Sequence, residues 1–269
     1  MNATPGPTEH GDPAVARDGE ILRTEVGSDL HGLALPGAAD HDEMGVYVEP
    51  PERVIGMVPA MDHYVWRTRP EGARSRHGDT DLVMYSLRKY LRLAAAGNPT
   101  VLLPMFAPKE SVHASTELGE ELRGLGAAFL SRRAAERFVG YLDGQTERLL
   151  GRGRQGDMPN RPELVAKYGY DVKYASHALR LGLQGLEIAE RGTLTLPMPE
   201  ADRERVLRVK TGGVPELATV LAEVDEVRGR ILDALASGRT PLPAEPDLER
   251  ISAWSVDAHL RHWRARGLA

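Results

Sequence analysis

The spacing of hydrophobic residues changes partway along the chain. Up to about residue 115, apolar side chains recur at every second position in short runs, as in half-buried strands. Residues 21 to 26 read as a strand that stops at Gly27-Ser28, with a small helical turn expected over 29 to 34. Residues 41 to 48 place Asp42, Met44, Val46 and Val48 on one face of a strand, and Asp40 projects the same way. Further strands are expected over 63 to 68 and 81 to 85. The second runs into LRKYLRLAAAG, where Leu87, Leu91, Ala94 and Ala95 make a helical stripe closed by Gly97.

Beyond residue 115 the spacing becomes three-to-four. Helices are expected over 118 to 130, 132 to 150, 162 to 191, 214 to 236 and 248 to 264; residues 203 to 213 are compatible with a strand. The pattern predicts an α+β chain in three parts. These are a flexible lead-in over 1 to 18, rich in Pro, Gly, Asp and Glu, a strand-bearing domain over 19 to 115 and a mainly helical domain over 116 to 269. There is no internal repeat and no sustained heptad.

Composition narrows the chemistry. Hydrophobic residues make up 41% and charged residues 27%, as in ordinary globular chains. The net charge of −5 argues against a uniformly basic surface that coats nucleic acid, so a nucleic-acid partner would be held locally. With no cysteine, disulfides, thiolate metal sites and thiol nucleophiles are excluded. No run approaches the roughly 20 apolar residues of a membrane span and the N-terminus lacks a signal-peptide pattern, so a cytoplasmic protein is expected.

The candidate chemistry lies at Gly27-Ser28 and Asp40-His41-Asp42. Two carboxylates on one strand face make an oxygen cage suited to Mg²⁺. Gly27 allows close backbone approach to a phosphate, and Ser28 adds a hydroxyl and an N–H where anions are favoured. His31 and His41 could ligate a metal, but isolated histidines beside Gly or Asp read first as exposed or locally hydrogen-bonded residues, and they are left out of the metal set. Asp79 and Asp81 stand before a helix, where capping is the alternative to catalysis. Lys173, His177 and Arg180 share one helical face able to grip phosphates, or form a solvated stripe. Tyr64 and Trp66 are stacking platforms or core residues. Six arginines between 132 and 154, and Arg261, Arg264 and Arg266, are basic surface candidates.

GSDLHG followed by ADHDEMGVYV resembles the G-S … D-x-D signature of the polymerase β nucleotidyltransferase superfamily. TDLVMYSLRKYLRLAAAGNPTVLLPMF and YDVKYASHALRLGLQGLEIAERGTL look like downstream blocks of phage and bacterial nucleotidyltransferases grouped with RNA-repair genes. The resemblance implies a polymerase β-like domain, a mixed sheet with flanking helices, followed by helices. It implies a two-metal site of Mg²⁺ or Mn²⁺ on Asp40, Asp42 and Asp81, with Asp79 as the fallback third carboxylate. It further implies a nucleoside triphosphate bound by Gly27, Ser28, Lys173, His177, Arg88 and Lys89, and release of pyrophosphate. For the acceptor the resemblance implies an RNA end, with a protein hydroxyl or an aminoglycoside as alternatives; a catalytically silent nucleotide- or RNA-binding module is the remaining reading. Asp29 and Leu103-Pro104 depart from the family pattern, which has a basic or aromatic residue and an acidic residue at those places.

Overall fold

The structure is a computed structural model that describes residues 7–35, 37, 41–70, 78–152 and 161–268. Residues 8 to 18, expected within a flexible lead-in, instead form strand β1 (Thr8–His10) and helix α1 (Pro13–Asp18). The reason is local and tertiary together. Asp12 caps α1 by accepting the Ala14 and Val15 N–H groups, Pro13 pre-sets the first turn, and Ala16 packs with Tyr47, Tyr64 and Met84.

The remaining strands are β2 (Glu20–Glu25), β3 (His41–Tyr47), β4 (His63–Arg67), β5 (Thr80–Ser86) and β6 (Val112–Ser115). They form one mixed sheet in the order β1-β4-β5-β3-β2-β6. Only β3 and β5 run parallel; every other neighbouring pair is antiparallel. The β6 strand is too short to show alternation in the sequence, and its pairing with β2 defines it. The helical turn expected after Ser28 is a plain turn, closed by Gly32 N–H to Asp29 O and Leu33 N–H to Ser28 O, both 2.9 Å.

The helices that follow α1 are α2 (Pro51–Val54), α3 (Leu87–Ala95), α4 (Pro99–Phe106), α5 (Glu117–Gly124), α6 (Gly126–Phe129), α7 (Arg132–Leu149), α8 (Pro162–Tyr168), α9 (Val172–Arg191), α10 (Glu200–Lys210), α11 (Leu217–Ala236) and α12 (Leu248–Ala265). The ambiguous segment near 203 is therefore helical. The helix expected over 162 to 191 is two, because Gly169 ends α8 and the Asp171 carboxylate caps α9 through the Lys173 and Tyr174 N–H groups.

The chain divides into two compact units. One comprises Met1–Ala95, Thr100–Ala128 and Asp247–Ala269; the other comprises Ala96–Pro99 and Phe129–Pro246. A boundary at residue 115 follows chain order, whereas these units do not: α5 packs on β2 and β6, and α12 packs on α3. Within the sheet unit, α12 is fastened by Trp263 Nε1 donating to Glu49 O (2.8 Å) and Trp254 Nε1 donating to the Glu121 carboxylate (2.8 Å). Arg261, a candidate for basic surface, is paired with that same Glu121. In the other unit α9 is the central helix, buried by α7, α10 and α11.

Candidate catalytic site

The pairing of β3 with β5 brings two of the predicted carboxylates together. Their parallel register places Asp42 beside Asp81. Partners in such a ladder point to the same sheet face on strands about 4.8 Å apart. The geometry therefore favours Asp81 over Asp79 as the carboxylate beside Asp42. Asp79 precedes β5; its backbone oxygen accepts the His41 N–H (2.8 Å) and its side chain receives Arg69 Nε (2.8 Å). Asp40 lies outside the described residues.

Gly27 sits directly against this pair. A Cβ built on it would stand 2.8 Å from Asp42 Oδ2 and 3.1 Å from Asp42 Cβ, and the Val26 N–H donates to Asp42 O (2.8 Å). The end of β2 is thus fixed to the start of β3 with no side chain between the turn and the carboxylate. Ser28 is half-buried in the turn that follows. Two hard carboxylate oxygen donors with a small-residue approach beside them fit a Mg²⁺- or Mn²⁺-type ion, which uses one or two carboxylates and fills its shell with water and phosphate oxygens.

Sequence reading missed Arg67. It is the antiparallel partner of Asp81, which puts three charged side chains, Arg67, Asp81 and Asp42, in one row across β4, β5 and β3. Arg67 Nε is buried without a hydrogen-bond partner among the described residues. The alternation in HYVWR was the available signal, since it sets Arg67 on the face opposite Tyr64 and Trp66. Those two aromatics pack with Ala16 and Met84 and so belong to the core beneath α1, not to a stacking platform in front of the carboxylates.

Lys89 and Arg88 lie at the start of α3. Lys89 Nζ donates to His63 Nδ1 (3.2 Å) and stands 5.5 Å over the Tyr85 ring, while Arg88 is exposed. His63 and Tyr85 occupy the same sheet face as Asp42 and Asp81, toward the other end of the strands. Burial, and then the Lys89 charge, lower the pKa of His63.

Lys173 and His177 lie in the other unit, on α9. The face they share is a cationic cluster and not a solvated stripe: Lys173 is exposed, whereas His177 and Arg180 are half-buried. Burial, with the charges of Arg180, Lys173, Lys210 and Arg161, pushes the His177 imidazole down to about 3; burial also lowers the Arg180 guanidinium to about 10. Arg180 Nη1 donates to Gln184 Oε1 (2.9 Å). His31, expected as exposed or locally bonded, is buried.

This mixed sheet agrees with what sequence comparison finds. The chain belongs to the RlaP family, the RNA repair pathway DNA polymerase beta family, which it matches over residues 18–251. The mixed sheet with flanking helices and the largely helical second half are the fold expected for such a chain, and membership supports nucleotidyl transfer as the class of chemistry. Comparison with curated protein sequences finds no match. Among solved structures there is a likeness to a nucleotidyltransferase-like protein from Exiguobacterium sibiricum 255-15. It is 12% identical, covers 81% of this chain and 69% of that one, and has a TM-score of 0.30, too loose a superposition to guide the site. Among the described residues no helix is long and apolar enough to cross a membrane.

Proposed function

We propose that this chain transfers a nucleoside monophosphate from a nucleoside triphosphate, ATP among the candidate donors, to the hydroxyl of an RNA end. The observation that carries the reading is the register of Asp42 beside Asp81, with Gly27 packed against Asp42. The acceptor oxygen attacks the α-phosphorus in line, the bond to the bridging oxygen breaks, and pyrophosphate leaves. Divalent ions held by Asp42 and Asp81, with Asp40 the third ligand by its place in the motif, would lower the pKa of the acceptor hydroxyl and neutralise developing charge.

The protein's own contribution is positioning. Asp42 and Asp81, held in register by the ladder, fix the donor oxygens without reorganisation. Gly27 and Ser28 leave room and N–H groups for phosphate oxygens. Arg67, with a buried donor left over beside Asp81, is suited to an anionic oxygen of the substrate. Lys89 and Arg88 are proposed to contact the nucleotide from α3. For Lys173 and His177 the support is the cationic cluster itself: burial first and then the neighbouring positive charges hold His177 neutral, and a phosphate there would offset those charges. RNA as the acceptor, and a cytoplasmic setting, rest on the RNA repair description of the family.

The test is release of labelled pyrophosphate from the four ribonucleoside triphosphates with Mg²⁺ and pooled RNA, comparing the parent chain with Asp42→Asn and Asp81→Asn. Release that falls at least a thousandfold in both variants is expected. No release from the parent with any RNA, protein or aminoglycoside acceptor would overturn the reading.

A further inference from the structure

A second group of potential ligands lies behind the carboxylate row. Glu25 pairs with Glu43 across β2 and β3, so strand alternation places Glu25, Glu43 and His41 on the sheet face opposite Asp42 and Asp81. Among the described residues, one set of three can converge on an ion: ligand atoms of Glu25, Asp29 and His41 all lie within 4.8 Å of one another. Asp29, from the turn after Ser28, and His41, at the head of β3, are exposed, whereas Glu25 is only 7% exposed.

Glu25 is the observation that separates this group from an ordinary surface cluster. Its Oε2 stands 3.3 Å from His113 Nε2, while its Oε1 is buried and has no hydrogen-bond partner among the described residues. An unsatisfied buried carboxylate oxygen is costly and calls for a cation or a donor. His113 already holds the outer oxygen, as a partner that orients a ligating carboxylate does.

We propose that Glu25, Asp29 and His41 form a second divalent-cation site, selective for a first-row transition ion such as Zn²⁺, Co²⁺ or Mn²⁺ over Mg²⁺. An imidazole beside two carboxylates suits those ions, whereas Mg²⁺ takes oxygen ligands almost exclusively. The ligand atoms already lie within 4.8 Å of one another, against about 3.4 Å in a closed shell with Zn–ligand distances near 2.1 Å, and the two ligands exposed to solvent, Asp29 and His41, are the ones with room to close that gap. Three protein ligands leave a position for water. The ion would tie the turn carrying Gly27 and Ser28 to the strand carrying Asp42, and this site stands or falls independently of the transfer reaction.

Titration of the metal-stripped full chain with Co²⁺, without nucleotide, tests it by calorimetry and visible absorption. Glu25→Gln keeps the shape and the His113 contact, and with His41→Gln it is expected to weaken one Co²⁺ site tenfold or more. Asp42→Asn/Asp81→Asn is expected to leave that site unchanged. Asp29→Asn, in an exposed turn, repeats the test if Glu25→Gln does not fold. Unchanged Co²⁺ affinity in both His41→Gln and Asp29→Asn, or loss of all Co²⁺ binding in Asp42→Asn/Asp81→Asn, would overturn the proposal.

Discussion

The narrowest clearance at the candidate site is at Gly27. A methyl there would meet Asp42 Oδ2 at 2.8 Å, well inside normal contact, so Gly27→Ala must displace the carboxylate. Misplacing a catalytic group by a fraction of an ångström to one ångström costs on the order of 10–100-fold. Pyrophosphate release by Gly27→Ala is expected to fall by that factor with a nearly unchanged melting temperature, and parental activity in the variant would remove Asp42 from the chemistry. His177 predicts a pH effect instead. Its pKa lies near 3 in the folded chain and about 6.5 unfolded, so below pH 6.5 the unfolded state takes up a proton that the folded state refuses. Stability is therefore complete above about pH 6.5 and declines as the pH falls toward 3, by up to about 2 kcal/mol at pH 5. Urea unfolding at pH 7.5 and 5.0 should show this decline in the parent and a smaller one in His177→Gln.

At the scale of elements, the sheet unit depends on close approaches of helix to strand. A Cβ on Gly119 of α5 would stand 2.1 Å from Ile21 O of β2, so Gly119→Ala must push the helix off the strand. The nearest atom is backbone and not the end of a flexible side chain, so the cost is expected at the upper end of overpacking, about 3 kcal/mol. Calorimetric melting would register it, and a shift of less than a degree would show that α5 yields freely. The same contact explains why β6 was invisible to periodicity: a four-residue strand is specified by its seat between β2 and α5 and not by its own composition.

For the whole molecule, the consequential finding is that the last helix returns to the sheet unit. Trp263 and His259 of α12 meet Glu49, more than two hundred residues earlier, and Trp254 and Arg261 meet Glu121. Trp263→Ala is expected to cost about 3–5 kcal/mol, and hydrogen exchange should locate the loss in the sheet strands. Protection lost only within α12 would contradict this. The sequence by itself determined the strands from 20 to 86, because short runs rich in apolar and β-branched residues, bounded by turn residues, are local signals. It also marked Gly27-Ser28 as a turn and Asp40 and Asp42 as same-face carboxylates, which are local facts, and only the resemblance to the G-S … D-x-D signature joined the two. Spacing alone did not join Asp81 to Asp42; the family resemblance suggested the pair, and the parallel register of two strands about forty residues apart, which leaves no trace in spacing, sets them side by side. Tertiary structure likewise set Arg67 next to Asp81, brought Glu25 to His41, and returned α12 to the sheet. Each of these is a non-local pairing, selected by which surfaces bury each other once the chain has folded.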